Sequence, residues 1–164
     1  MPLRLVLMRH AKSSWKSTAH HDKERPLNKR GKHDAPRVGA ELRHLGWVPE
    51  RIVSSDSVRT IETFSHMKDA LGFEGEPEWR ADLYHGGVED VCAALRELPD
   101  DCATALVLGH NPGWEDALEW LSGRHEPMKT GACALLTTTA ERWSDAARAG
   151  AWTLEAMVYP RQLE

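Results

Sequence analysis

The chain has 164 residues, a length that fits a single domain over residues 1–164 with one hydrophobic core. Apolar residues make up 41% and charged residues 28%, which excludes a disordered or fibrous chain. The formal net charge of −4 argues against a general nucleic-acid binder, because such proteins neutralise many backbone phosphates with Lys and Arg.

The first two predicted elements are a strand and a helix. The branched apolar run from Leu3 to Met8 predicts a buried strand that leads directly into Arg9 and His10. This run is too short for a signal peptide or a membrane span. Asn28 is a good N-cap for the following helix, and Gly46 can end it. The predicted apolar face of this helix is Ala35, Val38, Leu42 and Leu45.

A second strand and a second helix follow. Arg51 to Ser54 predicts a brief strand, after which Ser55 or Asp56 is expected to cap a helix. Arg59 then lies in the first turn of that helix. Its predicted apolar stripe is Val58, Ile61, Phe64 and Leu71.

The middle of the chain combines a weakly patterned segment with a clear helix. The polar, glycine-containing stretch from Gly72 to Pro77 leads to a segment that ends in Leu83, Tyr84 and His85 and shows no clear periodicity. Pro99 is predicted to stop the next helix. The apolar stripe of that helix is Val88, Val91, Cys92, Leu95 and Leu98.

A third buried strand, from Thr104 to Leu108, ends at an abrupt turn. Asn111 is predicted to cap the next helix and Pro112 to be its first residue, so His110 lies at the exit of the strand. The buried face of this helix is predicted to be Trp114, Ala117, Leu118 and Leu121. The last two predicted strands are Cys133 to Thr139 and Trp152 to Val158.

Strands that alternate with helices in this way predict an α/β fold, a three-layer α/β/α sandwich with a mostly parallel central sheet. In such sheets, ligands bind beyond the carboxyl ends of the strands. His10, Arg59 and His110 all follow predicted strand ends, so we expect one pocket to collect them.

These residue types suit a bound phosphate. Arg9 and Arg59 offer planar forks of donors that match two phosphate oxygens, and Arg59 gains from its place near a helix N-terminus. His10 suits a nucleophile, since nearby guanidinium groups disfavour the protonated imidazole. His110, if protonated, would donate to the phosphoryl oxygens in the transition state. Further hydroxyl donors are expected from Ser54, Ser55 and Ser57.

Five motifs occur in the order LVLMRHAKSSW, PLNKRG, SSDSVRT, LYHG and LGHNPG, and they span most of the chain. Together they resemble the histidine phosphatase superfamily, and most of all its small SixA-like phosphohistidine phosphatase branch. The usual signature of that superfamily is Arg-His-Gly, and here Ala11 replaces the glycine. The resemblance implies a phosphoglycerate mutase-like fold and a covalent phosphohistidine intermediate on His10. It also implies phosphate contacts from Arg9, Arg59 and His110, with no metal and no other cofactor.

One departure from the family concerns the proton donor. Many relatives carry a glutamate as general acid for an alcohol leaving group, and His85 occupies the matching position here. His85 could donate a proton or be a polar loop residue, and Asp82 and Glu89 are nearby substitutes. An imidazole leaving group departs more readily than an alkoxide, so the missing glutamate favours an N-phosphorylated substrate.

Two polar stretches keep alternatives open. His20 and His21, followed by Asp22, suggest either a metal site or a solvated loop, and the lack of a second cluster at ligand spacing favours a loop that could border the pocket. The residues after the nucleophile either line the phosphate site or form a polar turn. These residues are Lys12, Ser13 and Ser14. Ser13 and Ser57 are the predicted hydroxyl contacts to phosphate.

The cysteines and tryptophans are dispersed along the chain. Cys92, Cys102 and Cys133 lack the close paired spacing of a zinc site or a redox dithiol, which predicts reduced thiols in a cytoplasmic protein. Most of the seven tryptophans are expected in the core or partly buried, with Trp15 as the exception because it is close to the nucleophile.

The sequence therefore predicts a metal-independent phosphatase that acts on a phosphohistidine-bearing protein. One alternative is a phosphomonoesterase that uses the same residues on small phosphorylated metabolites. Another is a noncatalytic phosphate-binding adaptor, against which the intact pair of His10 and His110 argues. We expect no nucleic-acid and no membrane partner. The sequence leaves the oligomeric state open, with a monomer as the simplest case.

Overall fold

The computed structural model describes residues 2–16 and 21–163, which form one central sheet flanked by helices. The strands are β1 (Leu3–Arg9), β2 (Arg51–Ser55), β3 (Glu78–Arg80), β4 (Thr104–Gly109), β5 (Cys133–Thr138) and β6 (Thr153–Val158). The helices are α1 (Lys29–His44), α2 (Val58–Leu71), α3 (Val88–Arg96), α4 (Gly113–Ser122) and α5 (Trp143–Ala146).

The sheet has the strand order β3-β2-β4-β1-β5-β6 and is mostly parallel. β1 pairs in parallel with β4, β4 with β2, and β2 with β3. β5 runs antiparallel to both of its neighbours, β1 and β6. The carboxyl ends of β1, β2 and β4 therefore meet at one edge of the sheet, as predicted.

Helices cover both faces of the sheet, which confirms the three-layer sandwich. The alternation along β1 sorts its side chains between two buried clusters, because successive residues of a strand point to opposite faces. Leu5 and Leu7 pack in a cluster with residues of α3, α4 and α5, whereas Val6 and Met8 pack with residues of α1 and α2. Among the described residues, no helix has the length and apolar character that a membrane crossing requires.

Most helix boundaries follow the predicted signals, and two differ. The Asn28 side chain accepts a hydrogen bond from the Gly31 amide at the start of α1. The cap of α2 is Ser57, not Ser55 or Asp56, and its hydroxyl accepts from the Thr60 amide. Ser55 is unavailable as a cap because it is still the last residue of β2.

The helix after β4 begins one residue later than predicted. Its first residue is Gly113, so Pro112 precedes α4. Asn111 nevertheless acts on the helix start, since its side-chain oxygen accepts from the Glu115 amide. The segment before His85, which has no clear sequence pattern, contains the edge strand β3 and a short 3-10 turn.

Two predicted stripe positions are wrong. Leu45 and Ile61 are exposed, although both sit at helical spacing from buried residues. Leu45 follows the last turn of α1 and Ile61 lies on the outer side of α2, so neither is covered by the sheet.

Glycines at two motif positions allow the loops at the site to pack closely. A Cβ at Gly31 would overlap the carbonyl oxygen of Lys12, so this glycine lets α1 start directly against the loop after β1. A Cβ at Gly113 would likewise overlap the carbonyl oxygen of Gly86. These contacts hold the loops that follow β1 and precede α3 close to the carboxyl edge of the sheet.

Candidate active site

The register between β1 and β4 brings the two predicted catalytic histidines side by side. Arg9 pairs with Gly109, and the His10 amide donates to the Gly109 carbonyl at 3.0 Å. The next residue on each strand is a histidine, and the two imidazole centroids lie 5.3 Å apart. Both side chains are buried, with 5% of His10 and 2% of His110 exposed.

The hydrogen bond of His10 fixes which ring nitrogen carries its proton. Nδ1 lies 2.6 Å from the carbonyl oxygen of Ala11. A carbonyl can only accept, so Nδ1 is the protonated nitrogen and Nε2 of the neutral ring keeps the lone pair. Burial lowers the pKa of His10 to about 3, with the charges of Arg59, Arg9 and Arg25 acting in the same direction. His10 is therefore neutral near pH 7, as the sequence predicts.

His110 is also neutral near pH 7. Its Nε2 lies 2.8 Å from the Ser55 hydroxyl, while its Nδ1 has no hydrogen-bond partner among the described residues. Burial lowers the pKa of His110 to about 2, and His10 and Arg59 add to the effect. The sequence analysis makes donation by His110 depend on its protonation, and the folded protein by itself favours the neutral ring. An anion in the pocket would raise this pKa, because an adjacent negative charge favours the protonated ring.

Arg59 lies in the first turn of α2, as predicted, and its guanidinium is held by one loop residue. Nη1 donates to the Asp22 carbonyl at 2.8 Å, and Nη2 donates to the Asp22 carboxylate at 3.0 Å. The Arg59 Nε is buried with no hydrogen-bond partner among the described residues. The head group is therefore fixed in place while one of its donors stays uncommitted.

Asp22 organises the pocket, a role that the sequence analysis does not predict. Its carboxylate accepts hydrogen bonds from the Tyr84 hydroxyl at 2.6 Å, from Arg59 and from Arg25. Burial would raise the pKa of this carboxyl, but these hydrogen bonds outweigh burial and hold the pKa well below its ordinary value. Asp22 is thus ionised at neutral pH and cannot act as a general acid.

Arg25 is a third arginine of the pocket and was also not anticipated. Its Nη1 donates to the Ser13 hydroxyl at 2.9 Å, and its guanidinium stacks 3.6 Å from the Trp15 ring centroid. Trp15 itself is 82% exposed at the rim. The sequence signal for Arg25 is the charged, turn-like stretch next to it, which predicts a solvated loop that could border the pocket.

The three predicted proton donors lie at different positions relative to the pocket. His85 lies at the pocket rim, 61% exposed, with its Nε2 3.5 Å from the Asp22 carboxylate. The Asp82 carboxylate is bound to Arg80 at 2.8 Å, outside the pocket wall, and Glu89 is exposed on α3 and does not line it. His85 is therefore the one candidate of the three that lies at the pocket.

The two serines predicted to contact phosphate lie in different places. Ser13 lines the pocket together with Lys12, which agrees with a phosphate-lining stretch after the nucleophile. Ser57 is fully buried, caps α2 and lies 3.5 Å from His110 Nε2, and it is not among the residues that line the cavity. Its contact with phosphate stays a prediction that this geometry does not favour.

These side chains enclose one cavity of about 450 Å³ at the carboxyl edge of the sheet. Its wall contains the two buried histidines and three arginines, which are His10, His110, Arg9, Arg25 and Arg59. Arg9 is anchored by Nη1, which donates to the Met128 carbonyl at 3.0 Å. The cavity can therefore hold one tetrahedral dianion against an uncharged imidazole nitrogen.

The loop with His21 and Asp22 borders this cavity, whereas His20 lies outside the described residues. In residues 2–16 and 21–163, no group of three or more His, Cys, Asp or Glu side chains is arranged to hold a metal ion. Asp22 is instead committed to arginines and a tyrosine.

Comparison with known proteins agrees with the motifs. The family model of the histidine phosphatase superfamily (branch 1) matches residues 5–91. An uncharacterized chloroplastic protein of Arabidopsis thaliana is 38% identical over 169 residues, covering 96% of this chain and 78% of the relative.

Solved structures match over nearly the full length. A candidate phosphohistidine phosphatase SixA of Nakamurella multipartitia is 30% identical with a TM-score of 0.83, covering 98% of this chain and 97% of that one. The protein histidine phosphatase SixA complexed with tungstate is 25% identical with a TM-score of 0.84, covering 99% and 100% of the two chains. On this basis the chain belongs to the histidine phosphatase superfamily.

Proposed function

We propose that this protein is a metal-independent phosphatase that removes phosphoryl groups from protein histidines through a covalent phosphohistidine on His10. The observation that carries the proposal is the fixed tautomer of His10. The Ala11 carbonyl holds Nδ1–H, so the lone pair of Nε2 is available in a cavity that also contains Arg9, Arg25 and Arg59. A solved SixA structure that is 25% identical is complexed with tungstate, a tetrahedral oxyanion like phosphate.

In the first step, Nε2 of His10 attacks phosphorus in line with the leaving group. The new Nε2–P bond forms as the bond from phosphorus to the substrate nitrogen breaks, and that nitrogen takes up a proton. The arginines spread positive charge over the equatorial oxygens, which is where negative charge is held in the transition state. His110 adds a donor through Nδ1 once the bound anion has raised its pKa.

In the second step, water attacks the phosphorus of phospho-His10. The Nε2–P bond breaks, inorganic phosphate leaves, and His10 returns to its neutral form with the proton still on Nδ1. Most of the acceleration comes from holding the reactants in line and from donors that are already oriented, such as Arg59, which Asp22 fixes.

The lack of a strong, dedicated proton donor at the site supports a phosphohistidine substrate. Asp22 is ionised, Asp82 is paired with Arg80, and His85 is the remaining acid at the rim. A mostly exposed imidazole is a weaker general acid catalyst than a buried, dedicated glutamic acid. A departing imidazole depends less on protonation by such a catalyst than an alkoxide does. The open rim also suits a side chain presented by another protein.

The proposal extends to the organisation and location of the chain. We take residues 1–164 as a single catalytic domain, supported by one continuous sheet with helices on both faces. A cytoplasmic location is supported by free, buried thiols at all three cysteines, Cys92, Cys102 and Cys133.

Substrate profiling tests the proposal. Two peptides of the same sequence, one with phosphohistidine and one with phosphoserine at the same position, are compared by phosphate release. We expect kcat/KM to be at least about tenfold higher for phosphohistidine, because the site lacks a strong dedicated acid. Equal or greater activity on phosphoserine would contradict the substrate assignment. EDTA should leave the rate unchanged, and a requirement for added metal would contradict the mechanism.

A further inference from the structure

A second cavity, the basic groove, lies beside the catalytic cavity. It has a volume of about 650 Å³ and is lined by five cationic side chains and one carboxylate. These are Arg9, Lys12, Arg30, Lys129, Arg161 and Asp34. Arg9 and Lys12 line both cavities, so the groove is continuous with the place where the phosphoryl group is held.

The charge of the basic groove is opposite to that of the chain. Five cations against one carboxylate leave four net positive charges, on a protein whose formal net charge is −4. A concave surface of a single sign raises the local concentration of oppositely charged groups and steers their approach. The groove is therefore built to attract anions next to the reacting phosphoryl group.

The single carboxylate of the groove is paired with arginines of the same chain. Asp34 is buried, and it accepts from Arg30 Nε at 3.2 Å and lies 3.6 Å from Arg37. Arg30 keeps about half of its side chain exposed while it makes this contact. Asp34 therefore offsets one of the five cations, and the groove stays positively charged.

We propose that the basic groove binds acidic side chains that flank the phosphorylated histidine of a protein substrate. This inference rests on the proposed function, since it names what surrounds the phosphohistidine. The cations come from separate parts of the chain, namely the end of β1, the start of α1, the loop before β5 and the C-terminal turn. Lys12, Lys129 and Arg161 are exposed, so the charges match several separate carboxylates rather than one compact phosphate.

The test compares two phosphohistidine peptides that differ only around the phosphorylated residue, one with Asp and Glu and the other with Asn and Gln. The groove variant is K129E/R161E, since neither residue lines the catalytic cavity. The control is R142E/R148E, which makes the same change in charge at exposed positions near the end of β5 opposite the site. Phosphoramidate serves as a small substrate that does not reach the groove.

We expect the wild-type protein to prefer the acidic peptide by about tenfold in kcat/KM at low ionic strength. A few exposed ion pairs are enough to produce a preference of this size, and high salt should remove it. The preference should disappear in K129E/R161E and persist in R142E/R148E. All three proteins should hydrolyse phosphoramidate within about twofold of one another at physiological ionic strength, because neither Lys129 nor Arg161 lines the catalytic cavity and exposed charges are largely screened at that salt concentration. An unchanged preference in K129E/R161E would overturn the inference while leaving the proposed function intact.

A binding measurement separates the groove from catalysis. Fluorescence anisotropy with the unphosphorylated acidic peptide should show binding to the wild-type and control proteins and weaker binding to K129E/R161E. If the wild-type protein fails to hydrolyse phosphoramidate and both peptides, the proposed function fails, and this binding result alone decides the inference. Tighter groove-dependent binding of inorganic diphosphate or of a single-stranded oligonucleotide than of the acidic peptide would overturn the assignment to a polypeptide.

Discussion

Burial of two neutral histidines should make the stability of this protein fall as the pH drops below neutrality. In the folded protein the pKa of His10 is about 3 and that of His110 about 2. In the unfolded chain, imidazole has a pKa near about 6.5. Between these values the unfolded state binds more protons than the folded state, so the free energy of unfolding rises with pH and is lost as the pH falls below about 6.5.

The size of the effect follows from the two buried rings. At pH 5.5, about one unit below the unfolded pKa, each histidine lowers the free energy of unfolding by about 1.4 kcal/mol relative to pH 7.5. The pair should therefore account for a loss of about 2 to 3 kcal/mol. Asp22 does not contribute in this window, because its carboxyl has a lowered pKa and its stabilisation is lost only below the unfolded value near about 3.9.

Urea unfolding monitored by circular dichroism at several pH values, in phosphate-free buffer, measures this slope. The variant H10Q/H110Q should lose most of the difference between pH 7.5 and pH 5.5 that the wild-type protein shows. The control H66Q, which changes an exposed histidine of α2, should keep it. If H10Q/H110Q retained the full wild-type slope, burial would not lower the pKa of the two histidines, and the claim that the site keeps His10 neutral at pH 5.5 would be refuted.

Three further changes test other parts of the structure. Gly109→Ala should lower the free energy of unfolding by about 1 to 3 kcal/mol in urea denaturation, because the new Cβ would overlap the buried Trp114 indole, which a hydrogen bond to the Val107 carbonyl holds in place. Arg25→Ala should weaken inhibition by vanadate about 10- to 100-fold, because one charge-assisted contact to the anion is lost. The control Arg43→Ala on α1 should leave inhibition unchanged. Equal effects of the two substitutions would exclude Arg25 from the anion site. His85→Asn should reduce hydrolysis of a phosphoserine peptide by about tenfold or more and change hydrolysis of a phosphohistidine peptide by less than about threefold. An equal loss of activity on both peptides would exclude His85 as the proton donor.

The fold and the positions of the main site residues could be predicted because they depend on strong local patterns. Strands β1, β2 and β4 are buried along most of their length. β1 and β4 end directly before His10 and His110, and β2 ends four residues before Arg59. In a parallel sheet those ends meet at one edge, so the spatial cluster follows from chain order alone.

The residues that the sequence did not identify lie in segments without periodicity. Asp22 and Arg25 occur in a charged, turn-like stretch, where a solvated loop is the ordinary expectation. Their role depends on long-range contacts, from Asp22 to Tyr84 and Arg59 and from Arg25 to Ser13. Such contacts are set by how the loop packs across the pocket, and no local pattern in the sequence reports them.

The central claim is tested most directly by trapping the intermediate. Acid-labile phosphate should appear on His10 when the protein is mixed with a phosphohistidine peptide and quenched rapidly in base, with the modified residue located by mass spectrometry. The variant H10N should give no such species, while H110N should still form it slowly. Tight binding of phosphate with no covalent phosphate on His10, or labelling that persists in H10N, would contradict the account.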